Sequence, residues 1–393
     1  MLNLIESILI LLALAIAIGE IFNAIHLPEV VGAIIAGIIL GPALLGILVP
    51  NDELSTISTI ALFFIILQIG IEASADIFSL SLGYMVRFAS FAFIIPLIIM
   101  TIGGDFLFKI GYIQSFSTSL AIAIPSISIT SVLLLRSGLI KIDDGRRLLG
   151  GVAFSDLIAF IILASMRSSP EKILEIATFL TLFIIFLWAL DRYLKLRSEG
   201  LIKSAENFIE HREGLLFAVV IVMGLAVSSL FEYIGITFVL GAFFSGLIIH
   251  ENTVGERVHG TLMRTFSRIN SSFFIPVFFS ISGLLVTRIS LHLVPLTVFF
   301  ILVTSLVGGT FTYFIARRYL RGINSSTAVG IFGGRGAVGV IIASLSLGRG
   351  LINNDLYSSA ILATVVMAIV FTFIFDLSFN RENKNIKPLP RYP

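Results

Sequence analysis

Apolar residues in this chain run in long blocks, and charged residues mostly stand at the edges of the blocks. Val30–Asn51 lies between Glu29 and Asp52, Leu54–Ile71 between Glu53 and Glu72, and Leu356–Phe375 between Asp355 and Asp376. A helix needs about 20 mostly apolar residues to cross the hydrocarbon layer of a bilayer. Blocks of this length therefore predict membrane spans, thirteen in all. They start near residues 4, 27, 54, 82, 114, 147, 173, 214, 233, 268, 291, 322 and 355. The first block is a retained span rather than a signal peptide, because no Lys or Arg precedes Arg87 to supply a positive leader.

One block repeats. Val30-Val-Gly-Ala-Ile-Ile-Ala-Gly-Ile-Ile-Leu40 aligns without gaps on Val239-Leu-Gly-Ala-Phe-Phe-Ser-Gly-Leu-Ile-Ile249. Small residues four or five apart let helices approach closely in lipid, and convergence on that packing is the alternative explanation. The two copies fall in spans 2 and 9. An offset of seven is odd, so the copies face opposite ways. Six spans, a linker span and six more make an inverted repeat, a transporter architecture with its site near the midplane. The expected fold is thus an all-α polytopic membrane protein. Residues 1–380 form the membrane domain: a first repeat over about 4–167, a linker helix over about 173–194 and a second repeat over about 214–378. Residues 381–393 form a short, polar, flexible tail.

Composition agrees. Hydrophobic residues make up 57% of the chain and charged residues 13%, with a mean hydropathy of +1.05. That is too little charge to cover a soluble domain of this size, so lipid must be the solvent. A net charge of +2 gives no footprint for nucleic acid, and the absence of cysteine excludes disulfides and thiolate metal sites. Positive charge then orients the spans. With the N-terminus outside, the inward segments carry twenty Lys and Arg, and the outward ones carry five: Lys109, Arg167, Lys172, Arg288 and Arg349. The C-terminus is expected on the cytoplasmic side of the cell membrane.

Two charges break the pattern. Asp156 is the one charge in Leu148–Met166, and Arg335 the one charge in Gly322–Gly348, each at or next to the centre of its block. A midplane charge costs roughly 2.5–3.5 kcal/mol even on a lenient scale. The bland reading is a buried ion pair holding spans 6 and 12 together. Arginine does not cycle its proton, which suits it to a fixed countercharge, with Asp156 or Glu72 as its partner. An aspartate can exchange a proton for a cation. Nearby, Pro125-Ser-Ile-Ser-Ile-Thr-Ser131 in span 5 and Gly333-Gly-Arg-Gly336 in span 12 are poor continuous helix. They are again seven spans apart, and paired interrupted helices are the best pointer in a sequence to a transport site. Glu72 ends span 3 and reads by itself as an interfacial charge. The five histidines lie at span ends or in loops without metal-ligand spacing. Lys141-Ile-Asp-Asp-Gly-Arg-Arg147 is a short cytoplasmic loop rather than a metal site.

Several segments together resemble the monovalent cation/proton antiporter superfamily. They are Leu27-Pro-Glu-Val-Val-Gly with Leu40-Gly-Pro42, Gly235-Ile-Thr-Phe-Val-Leu-Gly-Ala-Phe-Phe-Ser-Gly246, Phe274-Ile-Pro-Val-Phe-Phe-Ser-Ile-Ser-Gly283, and Ser128-Ile-Thr-Ser through Leu148-Leu-Gly-Gly-Val-Ala-Phe-Ser-Asp156. The resemblance implies a homodimer whose mobile core domain moves as an elevator past a dimerisation domain, with Asp156 binding cation and proton in turn. It implies that Thr130 lies near the ion, that Glu72 is an acidic residue near it, and that Arg335 is the basic residue of span 12; Ser128 and Ser155, beside Thr130 and Asp156 in sequence, are the further candidates for binding the ion. No cofactor is implied beyond the transported Na+ or K+ and H+. Family members usually carry Asp, Asn or Gln where this chain has Ser155. With one carboxylate, bound Na+ and bound H+ each neutralise the site, so exchange is expected to be electroneutral. A sodium-coupled small-solute symporter of related fold is the runner-up, although the midplane offers few extra polar side chains for an organic substrate. A channel subunit or sensor would need a filter motif or a signalling domain. An enzyme would need a nucleophile–base pair or a metal cluster, and none is visible.

Overall fold

The computed structural model describes residues 3–72, 82–166, 170–196, 198–234, 237–249, 254–287 and 291–385. Helix is the regular secondary structure of the described residues, which contain no strands. Helices α1 (Leu4–Ala24), α2 (Glu29–Leu40) and α3 (Asp52–Glu72) come first. Next are α4 (Leu82–Phe88) and α5 (Ile95–Phe106), joined through a π turn at Ala89–Ile94, and then α6 (Tyr112–Ala123) and α7 (Ile127–Arg136). α8 (Asp143–Ser165), α9 (Pro170–Leu196), α10 (Ser198–Tyr233) and α11 (Phe238–Ile248) follow. α12 (Glu256–Ile269) and α13 (Ile275–Leu284) join through a π turn at Asn270–Phe274, and α14 (Val294–Leu302) and α15 (Gly309–Tyr319) through one at Val303–Gly308. The chain ends with α16 (Ser325–Gly333), α17 (Ala337–Gly348) and α18 (Asn354–Asn385).

When helices that run on through π turns or short breaks are joined, these form thirteen segments in the order the apolar blocks predict. Among the described residues eight helices are long and apolar enough to cross a membrane by length and composition. Large apolar side chains stand exposed on outer faces, among them Ile5, Leu9, Leu182 and Val222. In α1 the opposite face, Leu11, Ala15 and Gly19, is buried. Apolar residues are tolerable on both faces only where the surroundings are apolar too. The protein is a multi-pass membrane protein.

One end differs from expectation. The second block is uncharged as far as Asn51, but its helix stops at Leu40: Gly41 precedes Pro42, whose ring disfavours helical geometry in the residue before it. The last helix, α18, continues to Asn385, and 386–393 lie outside the described residues.

The chain divides into two compact units. One comprises Met1–Ser55, Leu80–Ala159 and Phe279–Pro393, and the other Thr56–Ser79 and Phe160–Phe278. Each unit holds one copy of the repeated motif. In the first, a Cβ on Gly32 would strike the backbone of α1 at Gly19, and one on Gly37 would strike the Ser280 carbonyl of α13. In the second, the equivalent Gly241 lies against Ser228 of α10, and Gly246 against Leu67 and Gly70 of α3. Spans 1 and 8 correspond, as do spans 3 and 10. Equivalent glycines therefore contact equivalent helices, the second pair exchanged between halves. The motif repeats as packing as well as sequence, with backbones approaching to a distance only glycine permits.

Candidate functional site

The site is built where two helices break. Pro125 has no amide hydrogen to donate, and α6 gives way at Ile124 to extended backbone before α7 begins at Ile127. α16 likewise gives way at Gly334, and α17 starts at Ala337. The two breaks meet. The Ser126 amide donates to the Gly334 carbonyl at 3.0 Å. A Cβ on Gly336 would lie 2.8 Å from Ser126 Oγ, so the contact depends on glycine there.

Each break leaves carbonyls of a helix C-terminus without intrahelical partners, and such ends carry partial negative charge. Arg335, 1% exposed, answers both ends. Its Nε donates to the Ile122 carbonyl of α6 at 3.0 Å, and its Nη1 to the Phe332 carbonyl of α16 at 2.8 Å. Thr130 Oγ1 donates to the neighbouring Ile331 carbonyl at 3.3 Å. Gly308, in the π turn between α14 and α15, lies beside the guanidinium, where a Cβ would stand 3.9 Å from Nη2. Among the described residues Arg335 thus bonds to carbonyls of helix ends, not to the carboxylate expected for it.

Asp156 lies on α8 and is completely buried, and neither carboxyl oxygen has a hydrogen-bond partner among the described residues. Buried polar groups are almost always paired, so this orphan calls for a chemical explanation. α8 reaches the broken helices through Gly151, where a Cβ would stand 3.7 Å from the Phe332 ring. Ser155 is also fully buried and donates to the Gly151 carbonyl of its own helix at 2.9 Å. Ser128 sits in the first turn of α7, and its side chain lies outside what is described. Glu72 belongs to the other unit. Its Oε1 accepts from Gln68 Nε2 at 2.6 Å, and Gln68 Oε1 accepts from Asn270 Nδ2 at 2.6 Å.

The folding of the chain therefore gathers Thr130, Ser126 and Arg335 at one point, runs the Asp156 helix alongside, and places Glu72 in a separate amide network. Sequence reasoning missed Asn270 and the carbonyl partners of Arg335. A polar Asn270 close before Ile275-Pro276 was a usable signal for the first. Nothing local chooses among carbonyls.

Comparison with known proteins places this geometry. The profile of the family described as "Sodium/hydrogen exchanger, transmembrane" matches residues 8–380. A Na(+)/H(+) antiporter of Enterococcus hirae is 25% identical, over 94% of this chain and 96% of that protein. The Na(+)/H(+)-K(+) antiporter GerN of Bacillus cereus is 26% identical, over 96% and 97%. The solved structure of the sodium proton antiporter MjNhaP1 from Methanocaldococcus jannaschii superposes with a TM-score of 0.70 at 15% identity, covering 99% of this chain and 100% of that one. At that identity the likeness concerns the fold.

Proposed function

The chain belongs to the transmembrane sodium/hydrogen exchanger family, a family of transporters rather than enzymes, and from that premise we propose that it exchanges a monovalent cation for a proton by alternating access. Na+ is the first candidate, with K+ and Li+ next, and Asp156 binds cation and proton in turn. The observation that carries this reading is the fully buried, unpartnered carboxyl of Asp156. A carboxylate cannot stay charged and alone in an apolar interior. It must take up a proton or a cation, and a group that needs one of the two at all times is an exchanger.

Arg335 supports the same conclusion. Its charge is met by the carbonyls of two helix ends, so Asp156 is not consumed as its counterion. Thr130 and Ser155 commit their hydroxyl protons to carbonyls and are left with oxygen lone pairs, the hard ligands that an alkali cation takes. Ser128 joins them by its place in the first turn of α7. Glu72, held by Gln68, is an acidic group for the approaching ion. With one carboxylate at the site, each limb of the cycle carries the same net charge and exchange is electroneutral. The protein works as a homodimer in the cell membrane, with its N-terminus outside and its C-terminus in the cytoplasm.

The test is cation-driven pH change in proteoliposomes, comparing the wild type with Asp156→Ala under Na+, K+ and Li+. Proton movement driven by one of these cations and lost in the variant is the expected result. A folded wild type that moves no protons with any of them would overturn the exchange reading in favour of solute symport. Full activity in the variant would overturn the site.

A further inference from the structure

We propose that Asp144 is a positioning residue for this exchange: its carboxylate fixes the axial register of the helix bearing Asp156 against α16, the half-helix that ends just before Arg335. The inference rests on the functional reading above and concerns a residue outside the polar centre. Asp144 is the second residue of α8. Its Oδ2 accepts the backbone N–H groups of Arg321 and Gly322, each at 2.8 Å, in the turn that leads into α16. Its Oδ1 accepts from Arg147 Nη1 at 3.1 Å. Hydrogen bonds to an ionised carboxylate are the strong ones, and two on one oxygen from adjacent amides leave little freedom to slide. The neighbouring Asp143 makes a useful contrast. Its side chain is 66% exposed and pairs only with Arg146, an ordinary surface pair.

The same end of the unit is tightened twice more. Gly322 packs closely on Ile142 and Asp144 Oδ2, which a Cβ would meet at 3.2 and 3.4 Å. Gly145 packs directly on the Leu139 carbonyl, and Gly138 takes a φ of 71° to turn the chain out of α7. α7, α8 and α16 are therefore fastened together here. From this point α8 and α16 run in the same direction, because Gly151 lies beside Phe332 further along both.

Asp156 is twelve residues beyond Asp144, roughly 18 Å at a helical rise of 1.5 Å per residue. A slip of α8 by one residue would move its carboxyl by about 1.5 Å and turn it by about 100°. Displacements of that size matter greatly at a site that depends on orientation.

The experiment compares wild type, Asp144→Ala, Asp144→Asn and Asp143→Ala in two ways. One is hydrogen exchange of the amides of Arg321 and Gly322. The other is the half-saturating Na+ concentration and maximal rate of proton exchange in proteoliposomes. Asn keeps an oxygen able to accept both amides. Asp144→Ala is expected to lose amide protection and to raise the half-saturating Na+ concentration roughly tenfold. Asp144→Asn is expected to restore both to near wild type, and Asp143→Ala to change neither. Retained protection in Asp144→Ala, or lost protection with an unchanged half-saturating concentration, overturns the proposal. So does an Asp144→Asn variant as impaired as Asp144→Ala. Should Asp144→Ala not fold, Asp144→Glu takes its place, keeping the charge but misplacing the oxygens by one methylene. A wild type that exchanges none of Na+, K+ or Li+ sinks the functional reading itself, which the variants of an active protein cannot do.

Discussion

Asp156 and Arg335 bring opposite charges into the same apolar interior and are compensated by different means. Arg335 is bound by fixed backbone dipoles, while Asp156 has no hydrogen-bond partner among the described residues. The arginine is thus part of the framework, and the aspartate is the group proposed for the chemistry. Asp156→Asn, which keeps the shape and removes the titrating group, is expected to abolish exchange while leaving thermal unfolding in detergent close to wild type. Arg335→Ala leaves two buried carbonyls unanswered, each worth about 1–3 kcal/mol, and should lower the unfolding temperature measurably. Arg335→Lys keeps the charge but not the fork, and should fall between. Competition at one carboxyl also fixes the sign of a pH effect. Protons displace the cation as pH falls, so the half-saturating Na+ concentration should rise on acidification in flux measurements.

At the scale of elements, the broken helices and the glycine-rich helices perform different tasks. The breaks expose backbone groups at the site, and their hydroxyls close the gap. Thr130→Val removes the donor to Ile331 without changing size. It should cost about 1 kcal/mol of stability and also weaken apparent cation affinity, read from Na+ titration of the exchange rate. The glycine-rich helices set backbone distances. Gly37 and Gly246 each face a neighbouring carbonyl or amide with no space for a methyl group. Valine at either position should therefore cost about 1–3 kcal/mol by overpacking, seen as loss of folded protein on heating. The breaks were legible in the sequence because proline and clustered glycine act on their own backbone. The early end of α2 was less so, since the uncharged block runs on past Pro42 while the helix does not. The π turns at Ala89–Ile94 and Val303–Gly308 left no compositional trace, yet they fall in corresponding spans 4 and 11.

At the scale of the molecule, two hydrogen bonds test the alternation of the spans. Asp144 joins the junction of spans 5 and 6 to that of spans 11 and 12, and Ser358 accepts the Thr287 amide between the junctions of spans 10–11 and 12–13. Alternating spans put each of these pairs on one side of the membrane, as the bonds require. The single carboxylate carries its consequence at this scale too. Solid-supported membrane recordings should show no sustained transport current, and the rate of exchange should not depend on the applied potential. A current that reverses with potential would count against one-for-one exchange.

The amino-acid sequence by itself determined the number and order of the spans, the two breaks, the repeated motif and the two interior charges. Each of these follows from local chemistry: block length against bilayer thickness, the missing donor of proline, the missing side chain of glycine, and the cost of charge in an apolar layer. Tertiary structure alone decided who meets whom. It gave Arg335 to the carbonyls of Ile122 and Phe332 rather than to an acid, and left Asp156 without a hydrogen-bond partner among the described residues. It also carried Asp144, which reads as an ordinary loop residue, to the amides of Arg321 and Gly322. Backbone groups look alike along the chain, and only the packing of helices distant in sequence selects which of them a side chain reaches.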